Sequence, residues 1–181
     1  SPMNYTDNTF AYRQDSTFLY YFGISHAGLA ATLDADTGAA TIFGNDLTID
    51  DIVWTGPQPT VAELAARVGV TRTGPASGLT DIVRAAQAHG RAVHVLPPYR
   101  GEHRLKLAEL LNVAPSAVSS AVSLDLVRAV IAMRVHKTPE EIAEIERAVN
   151  TSVDMHVTAM AMAKPGMRER DIAAKVTEIA L

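Results

Sequence analysis

Apolar residues recur along the last third of the chain in steps of three and four: Ile142, Ile145, Val149, Val153, Val157 and Met160. This spacing puts them on one face of a long helix. Its start is marked by Thr138-Pro139-Glu140-Glu141, with threonine at the N-cap, proline at the first helical position and glutamate at the third. That is a capping box with proline where its missing N–H costs nothing. Lys164-Pro165-Gly166 stops the helix, and another begins near Arg168.

Upstream the pattern is shorter and mixed. Asp15 or Ser16 caps a short helix through Phe22, and Gly23 supplies a left-handed stop. Residues 26–33 and 39–43 read as strands around Asp34-Ala35-Asp36-Thr37-Gly38, a hairpin turn. After the rigid loop Gly56-Pro57-Gln58-Pro59, Thr60 caps a helix through Arg67, and Gly69 ends it. A short strand is expected near Val70, a loop over 74–78, and a helix from Thr80 to His89-Gly90. Arg91 to Leu96 reads as a buried strand ended by Pro97-Pro98, with helices near 102–111 and 116–133.

Strands come first, then helices alternating with strands, then long helices only. The order predicts an α/β domain over 1–135, with helices flanking a mixed sheet, and a linker with the first helices of a second domain over 136–181. The apolar stripe of those last helices has too little chain to cover it. The chain opens on Ser1-Pro2-Met3 with no apolar leader and closes on Thr177-Glu178-Ile179-Ala180-Leu181 with no helix stop, so a fragment of a longer protein is expected.

Composition narrows the function classes. Among 181 residues, 48% are hydrophobic and 20% charged, which supports a packed core and excludes a disordered tail. Sixteen basic against twenty acidic residues leave a net charge of −4, which argues against a nucleic-acid partner. No apolar run approaches about 18 residues, so no membrane span is expected. The absence of cysteine excludes disulfides, thiolate zinc sites and a cysteine nucleophile, and fits a reducing compartment. The expected location is cytoplasmic.

Candidate chemistry is sparse. Asp34-x-Asp36-x-Gly38 has the start of a calcium loop, but Asn45 stands where its glutamate belongs, so a hairpin turn is favoured. Ser25 beside His26 lacks the spacing of a serine elbow. Gly69 to Gly78 is glycine-rich but lacks the Lys-Ser/Thr pair that holds phosphate. His26, His89, His94, His103, His136 and His156 include no i, i+4 pair and read as structural or surface histidines. Asp50-Asp51 and the acidic cluster from Glu140 to Glu146 read as solvated. Seven aromatics crowd the first 22 residues, Tyr5, Phe10, Tyr12, Phe18, Tyr20, Tyr21 and Phe22, a grouping more often core or interface than ligand cage. The residues alone give no catalytic constellation.

Three stretches together resemble one family. Asn4-Tyr5-Thr6-Asp7-Asn8, followed by Tyr12-Arg13-Gln14-Asp15-Ser16-Thr17-Phe18-Leu19-Tyr20-Tyr21-Phe22-Gly23, resembles the F-R-Q-D-S-x-F-x-Y-x-x-G stretch of the aminopeptidase P, prolidase and creatinase group. The hairpin and Trp54-Thr55-Gly56 fit the same N-terminal domain. Met133 to Ile142 is similar to the family's interdomain signature L-R-x-x-K-[ST]-x-x-E-I, with His136 replacing a commoner aliphatic residue. Lys164-Pro165-Gly166-Met167-Arg168-Glu169 resembles its helix break, with Arg168 where serine or threonine usually caps.

The resemblance implies a creatinase-type, ribonuclease H-like N-terminal domain followed by the opening helices of a truncated pita-bread domain. It implies a parent metallopeptidase that hydrolyses the bond before proline in dipeptides or short peptides. Two divalent metals, commonly manganese, are held in such enzymes by two aspartates, a histidine and two glutamates, and no residue here matches those positions. The chain itself is therefore expected to be inactive, with no catalytic or metal residue of its own. In this family the domain shapes the cleft mouth and makes subunit contacts. Trp54, read as standing on an early loop, is the candidate substrate-access residue, with an ordinary core tryptophan as the alternative. Arg13, Phe18, Tyr20 and Tyr21 are candidate contacts of a homodimer or higher oligomer. Two further readings stay open: a metal-free binding or scaffold protein of the same fold, and a creatinase-like amidinohydrolase.

Overall fold

The structure is a computed structural model and describes Tyr5 and residues 8–181. It forms two compact units, Ser1–Val122 and Ser123–Leu181. In the first unit, helix α1 (Ser16–Phe22) precedes the hairpin of β1 (Ala30–Leu33) and β2 (Ala40–Phe43). Helices α2 (Ile49–Thr55) and α3 (Val61–Arg67) lead to β3 (Arg72–Gly74). Helices α4 (Gly78–Ala88) and α5 (Gly101–Leu111) and a 3-10 helix, Pro115–Ala121, complete it.

The sheet is mixed, in the order β1-β2-β3. β2 runs antiparallel to β1, with Ala31 opposite Ile42, and parallel to β3, with Ile42 opposite Thr73. The central strand carries the core. Ile42 is fully buried and packs with Ile24, Val61, Leu64 and Ala65. The three α3 residues lie at i, i+3 and i+4, one stripe of a helix turned to the sheet. Gly44 lets α3 come close: a Cβ there would stand 2.7 Å from Leu29 Cδ2 and 3.0 Å from Val61 Cγ2.

The hairpin turn is closed by Asp34, whose Oδ1 accepts from the backbone N–H of Asp36 and Thr37 at 3.0 and 3.1 Å. Arg91, just past α4, donates to Asp34 and Asp36 at 2.8 Å each, so one guanidinium ties the turn to the end of a helix. That hydrogen bond is the largest of the causes holding the Asp34 carboxyl well below its ordinary 3.8. The folded state then binds fewer protons at Asp34 than the unfolded one, so the stabilisation is present above the ordinary carboxylate range and fades as pH falls through it. Arg91→Ala should flatten this dependence. Urea midpoints at pH 7 and pH 3 check it: a loss on acidification equal to that of the unsubstituted chain contradicts the account.

The second unit holds α6 (Leu124–Val135), α7 (Pro139–Met162) and α8 (Glu169–Ala180), and α7 packs on α8. α6, grouped with the first domain on sequence, lies with the later helices here. The α7 capping box forms as expected: Glu141 N–H donates to Thr138 Oγ1 at 3.2 Å, and Thr138 N–H donates to Glu141 at 2.8 Å. At Arg168 half of such a box survives, its N–H donating to Asp171 at 3.4 Å.

Five of the expected elements differ in the structure. The strand expected over 26–33 shrinks to Ala30–Leu33, because Gly28 takes φ +76° and turns the chain first. The 74–78 loop is cut short by α4, which starts at Gly78, and the strand expected near Val70 starts at Arg72. The stretch from Arg91 to Leu96 is no strand and makes only a parallel bridge between Val95 and Val122. Its first N–H still donates to the α4 carbonyl of Ala86 at 2.9 Å, and Pro97 has no N–H to offer, so little backbone is left for a ladder. The helix expected over 116–133 breaks in two: Val122 is extended, and Ser123 accepts from Leu126 N–H to start α6.

Candidate functional site

The expected access residue does not stand on a loop. Trp54 is the sixth residue of α2, a helix that the sequence reading missed. Thr48 starts it. Its hydroxyl accepts from Asp51 N–H at 3.2 Å, and Asp51 Oδ2 accepts from Thr48 N–H at 2.9 Å and from its hydroxyl at 2.7 Å. The hydroxyl, then the backbone N–H, holds the Asp51 carboxyl below its ordinary value. Asp51 is thus the closing partner of a capping box as well as a solvated acid. At the far end Gly56, at φ +75°, donates to the Ile52 carbonyl at 2.9 Å, and the chain leaves into Pro57. Glycine suits this position because an L side chain is strained at that φ.

None of the seven α2 residues is buried. Trp54 is 87% exposed, Ile49 81% and Val53 74%. A core tryptophan is therefore ruled out, and α2 presents its apolar side chains to solvent from a helix fixed at both ends. Ile49 and Val53 were not singled out on sequence. The Thr48-x-x-Asp51 box ahead of an apolar run was the signal that could have found them.

The other expected contact residues gather on and before α1. Asp15 caps that helix, its Oδ1 accepting from Thr17 and Phe18 N–H at 2.9 and 3.0 Å, and Gly23 closes it at φ +63°. Phe18 turns inward: it meets Phe22 at 4.9 Å between ring centroids, and both pack on the core. Tyr20 and Tyr21 stay partly exposed, edge to face at 5.0 Å. Arg13 is exposed. Tyr12 donates its hydroxyl to the His26 carbonyl at 2.9 Å and fastens the segment ahead of α1 to the chain ahead of β1. Partial burial lifts the Tyr12 hydroxyl above its ordinary 10.0, against the pull of Arg100. The first motif's Asn4, Thr6 and Asp7 lie outside the described residues.

Among the described residues, no group of three or more His, Asp or Glu side chains converges in a way that could hold a metal ion. Among the same described residues, no helix is long and apolar enough to cross a membrane. A shallow hollow of about 330 Å³ lies where β2 and β3 end, lined by Gly44, Asn45, Asp46, Val61, Thr73 and Pro75 among others. Two of its polar side chains are committed to the fold: Asp46 accepts from Val61 N–H at 2.7 Å and Asn45 from Ala76 N–H at 3.0 Å.

Known proteins share this arrangement. The chain is 24% identical over 173 residues to an Xaa-Pro dipeptidase of Rattus norvegicus, covering 92% of this chain and 33% of that one. It superposes on the aminopeptidase PepP of Pseudomonas aeruginosa with a TM-score of 0.75 at 21% identity, over 97% of this chain and 41% of that one. A zinc-substituted aminopeptidase P of Escherichia coli in complex with product gives a TM-score of 0.73 at 21% identity, over 98% and 42%. The chain thus spans a third to two fifths of the length of these relatives. The family model described as aminopeptidase P, N-terminal domain, matches residues 1–95, more than half of the chain, and the chain therefore belongs to the aminopeptidase P family through that domain.

Proposed function

We propose that this chain is the non-catalytic N-terminal part of a metallopeptidase that hydrolyses the peptide bond before proline in dipeptides or short peptides, and that it shapes substrate access and oligomer contacts. Beside the family membership, one observation carries the second half of this reading. α2 holds Trp54 bare to solvent on a rigid, doubly capped helix. A large ring kept exposed costs solubility and adds nothing to the core, which is the signature of a residue meant to meet something else. Trp54 is the lip of the substrate cleft. Arg13, Tyr20 and Tyr21 belong to subunit contacts of a homodimer or higher oligomer, with Phe18 supporting α1 from the core side.

In this reading residues 1–135 are a ribonuclease H-like domain of the creatinase type, and α7 and α8 open a pita-bread domain whose remaining parts lie past Leu181. The enzyme works in the cytoplasm. Its two divalent metals, manganese by preference, would supply a Lewis acid and an activated water there. This chain offers no ligand set for them among its described residues, so no step through a metal is derived from it.

The coding sequence of the parent past Leu181 tests the reading. Two aspartates, a histidine and two glutamates in order over the next domain support the peptidase. A pita-bread domain lacking them, or a stop codon at that point, replaces it with a binding or scaffold protein.

A further inference from the structure

The hollow at the end of the sheet holds chemistry that the fold does not use up. β2 and β3 run parallel, and both end at it by their carboxyl ends, the place where α/β sheets hold ligands. Part of its wall is backbone, where Gly44 N–H donates to the Gly74 carbonyl at 3.1 Å. Val61 and Pro75 add apolar surface. At about 330 Å³ it stands at the small end of the range of ligand sites.

Asn45 and Asp46 each give one atom to the fold and keep another. Val61 N–H takes Asp46 Oδ1 and Ala76 N–H takes Asn45 Oδ1, so both side chains are held in place. Asp46 Oδ2 and the Asn45 amide N–H groups have no partner among the described residues. Asp46 is the one charged residue among the described residues that line the hollow.

We propose that this hollow binds the free amino end of a peptide. The α-ammonium donates to Asp46 Oδ2, the first carbonyl accepts from Asn45 Nδ2, and the first side chain lies against Val61 and Pro75. A carboxylate with no basic neighbour in the lining selects a cation. The amide donor of the adjacent residue asks for an acceptor close to that cation. A peptide carries its α-ammonium and first carbonyl side by side, whereas a simple amine brings no acceptor. A free amino acid brings a carboxylate in place of that carbonyl, and no lysine or arginine lines the hollow to pair with it. Both side chains are exposed, where an ion pair adds little, so the site is weak, with a Kd on the order of a few millimolar. The inference goes beyond the functional reading above and stands without it.

Nuclear magnetic resonance of the ¹⁵N-labelled chain tests it, with alanyl-prolinamide as the probe. The peptide should move the signals of Gly44, Ala62 and the Asn45 side-chain amide along one saturating curve. N-acetylation of the peptide, which removes the cation, should weaken binding at least about fivefold, and so should Asp46→Asn. Asp46→Asn keeps an oxygen for Val61 N–H. Should that variant fail to fold, the acetylated peptide makes the same comparison on the unsubstituted chain. Free alanine should bind more weakly than alanyl-prolinamide. Equal affinity for the acetylated peptide or for free alanine overturns the proposal, and so do signals that stay still up to tens of millimolar peptide. Neither result bears on hydrolysis before proline, which is read in the parent protein.

Discussion

Trp54→Ala in the parent enzyme should shift the ratio of kcat/KM between short and longer proline peptides by about tenfold, or about 1.4 kcal/mol. The size follows from what an aromatic anchor contributes where it meets a partner and excludes water. The variant is clean because Trp54, at 87% exposure, takes no part in the core. Its removal should leave the melting temperature of the chain unchanged, so a kinetic change cannot be blamed on unfolding. Stopped or continuous assays on a dipeptide, a tripeptide and a pentapeptide, all with proline second, read the ratio. An unchanged ratio removes Trp54 from the lip, whatever happens to the overall rate.

Ile42→Ala should have the largest effect on stability. Ile42 is fully buried at the centre of the middle strand, opposite Ala31 on one side and Thr73 on the other, and touches α3 from below. Truncating a buried isoleucine loses its transfer energy and leaves a cavity, which costs about 3 kcal/mol and up to about 5 where the site cannot collapse. Alanine is also a poorer strand former. A loss of that size is a large share of what holds a domain of this length together. Urea unfolding followed by far-ultraviolet circular dichroism, resolved for the first unit, measures it. A loss below about 1 kcal/mol would mean that the sheet is not the centre of this core.

Where local chemistry decides a structure, the sequence is readable. Gly23 marks the end of α1 and Asp15, one of two candidate caps, its start; Asp34 and Gly38 mark the turn, and Thr138 with Glu141 marks the start of α7. The misreadings fall where tertiary context decides. Arg91 to Leu96 alternates like a strand, yet a strand needs a partner along its length, and this one meets a neighbour only at Val95. α2 carried its own start signal in Thr48 and Asp51. Its apolar residues face no core, so the periodicity that betrays most helices pointed to nothing. The candidate site shows the same division. Motif resemblance singled out Trp54, but its exposure was not legible, because burial is a property of the whole fold and tryptophan is more often covered. Phe18 and Tyr20 look alike in sequence, and only the packing of α1 on the core cluster turns one ring in and leaves the other out.

The central claim is that this domain belongs to a metal-dependent peptidase acting before proline. The most direct measurement is hydrolysis of an Xaa-Pro dipeptide and an Xaa-Pro-Xaa tripeptide by the full-length parent protein, after chelation and again after return of manganese. The account predicts cleavage of the bond before proline that disappears with the chelator and returns with the metal. A metal-reloaded, folded parent that binds such peptides without cleaving them, or ignores them, would contradict it.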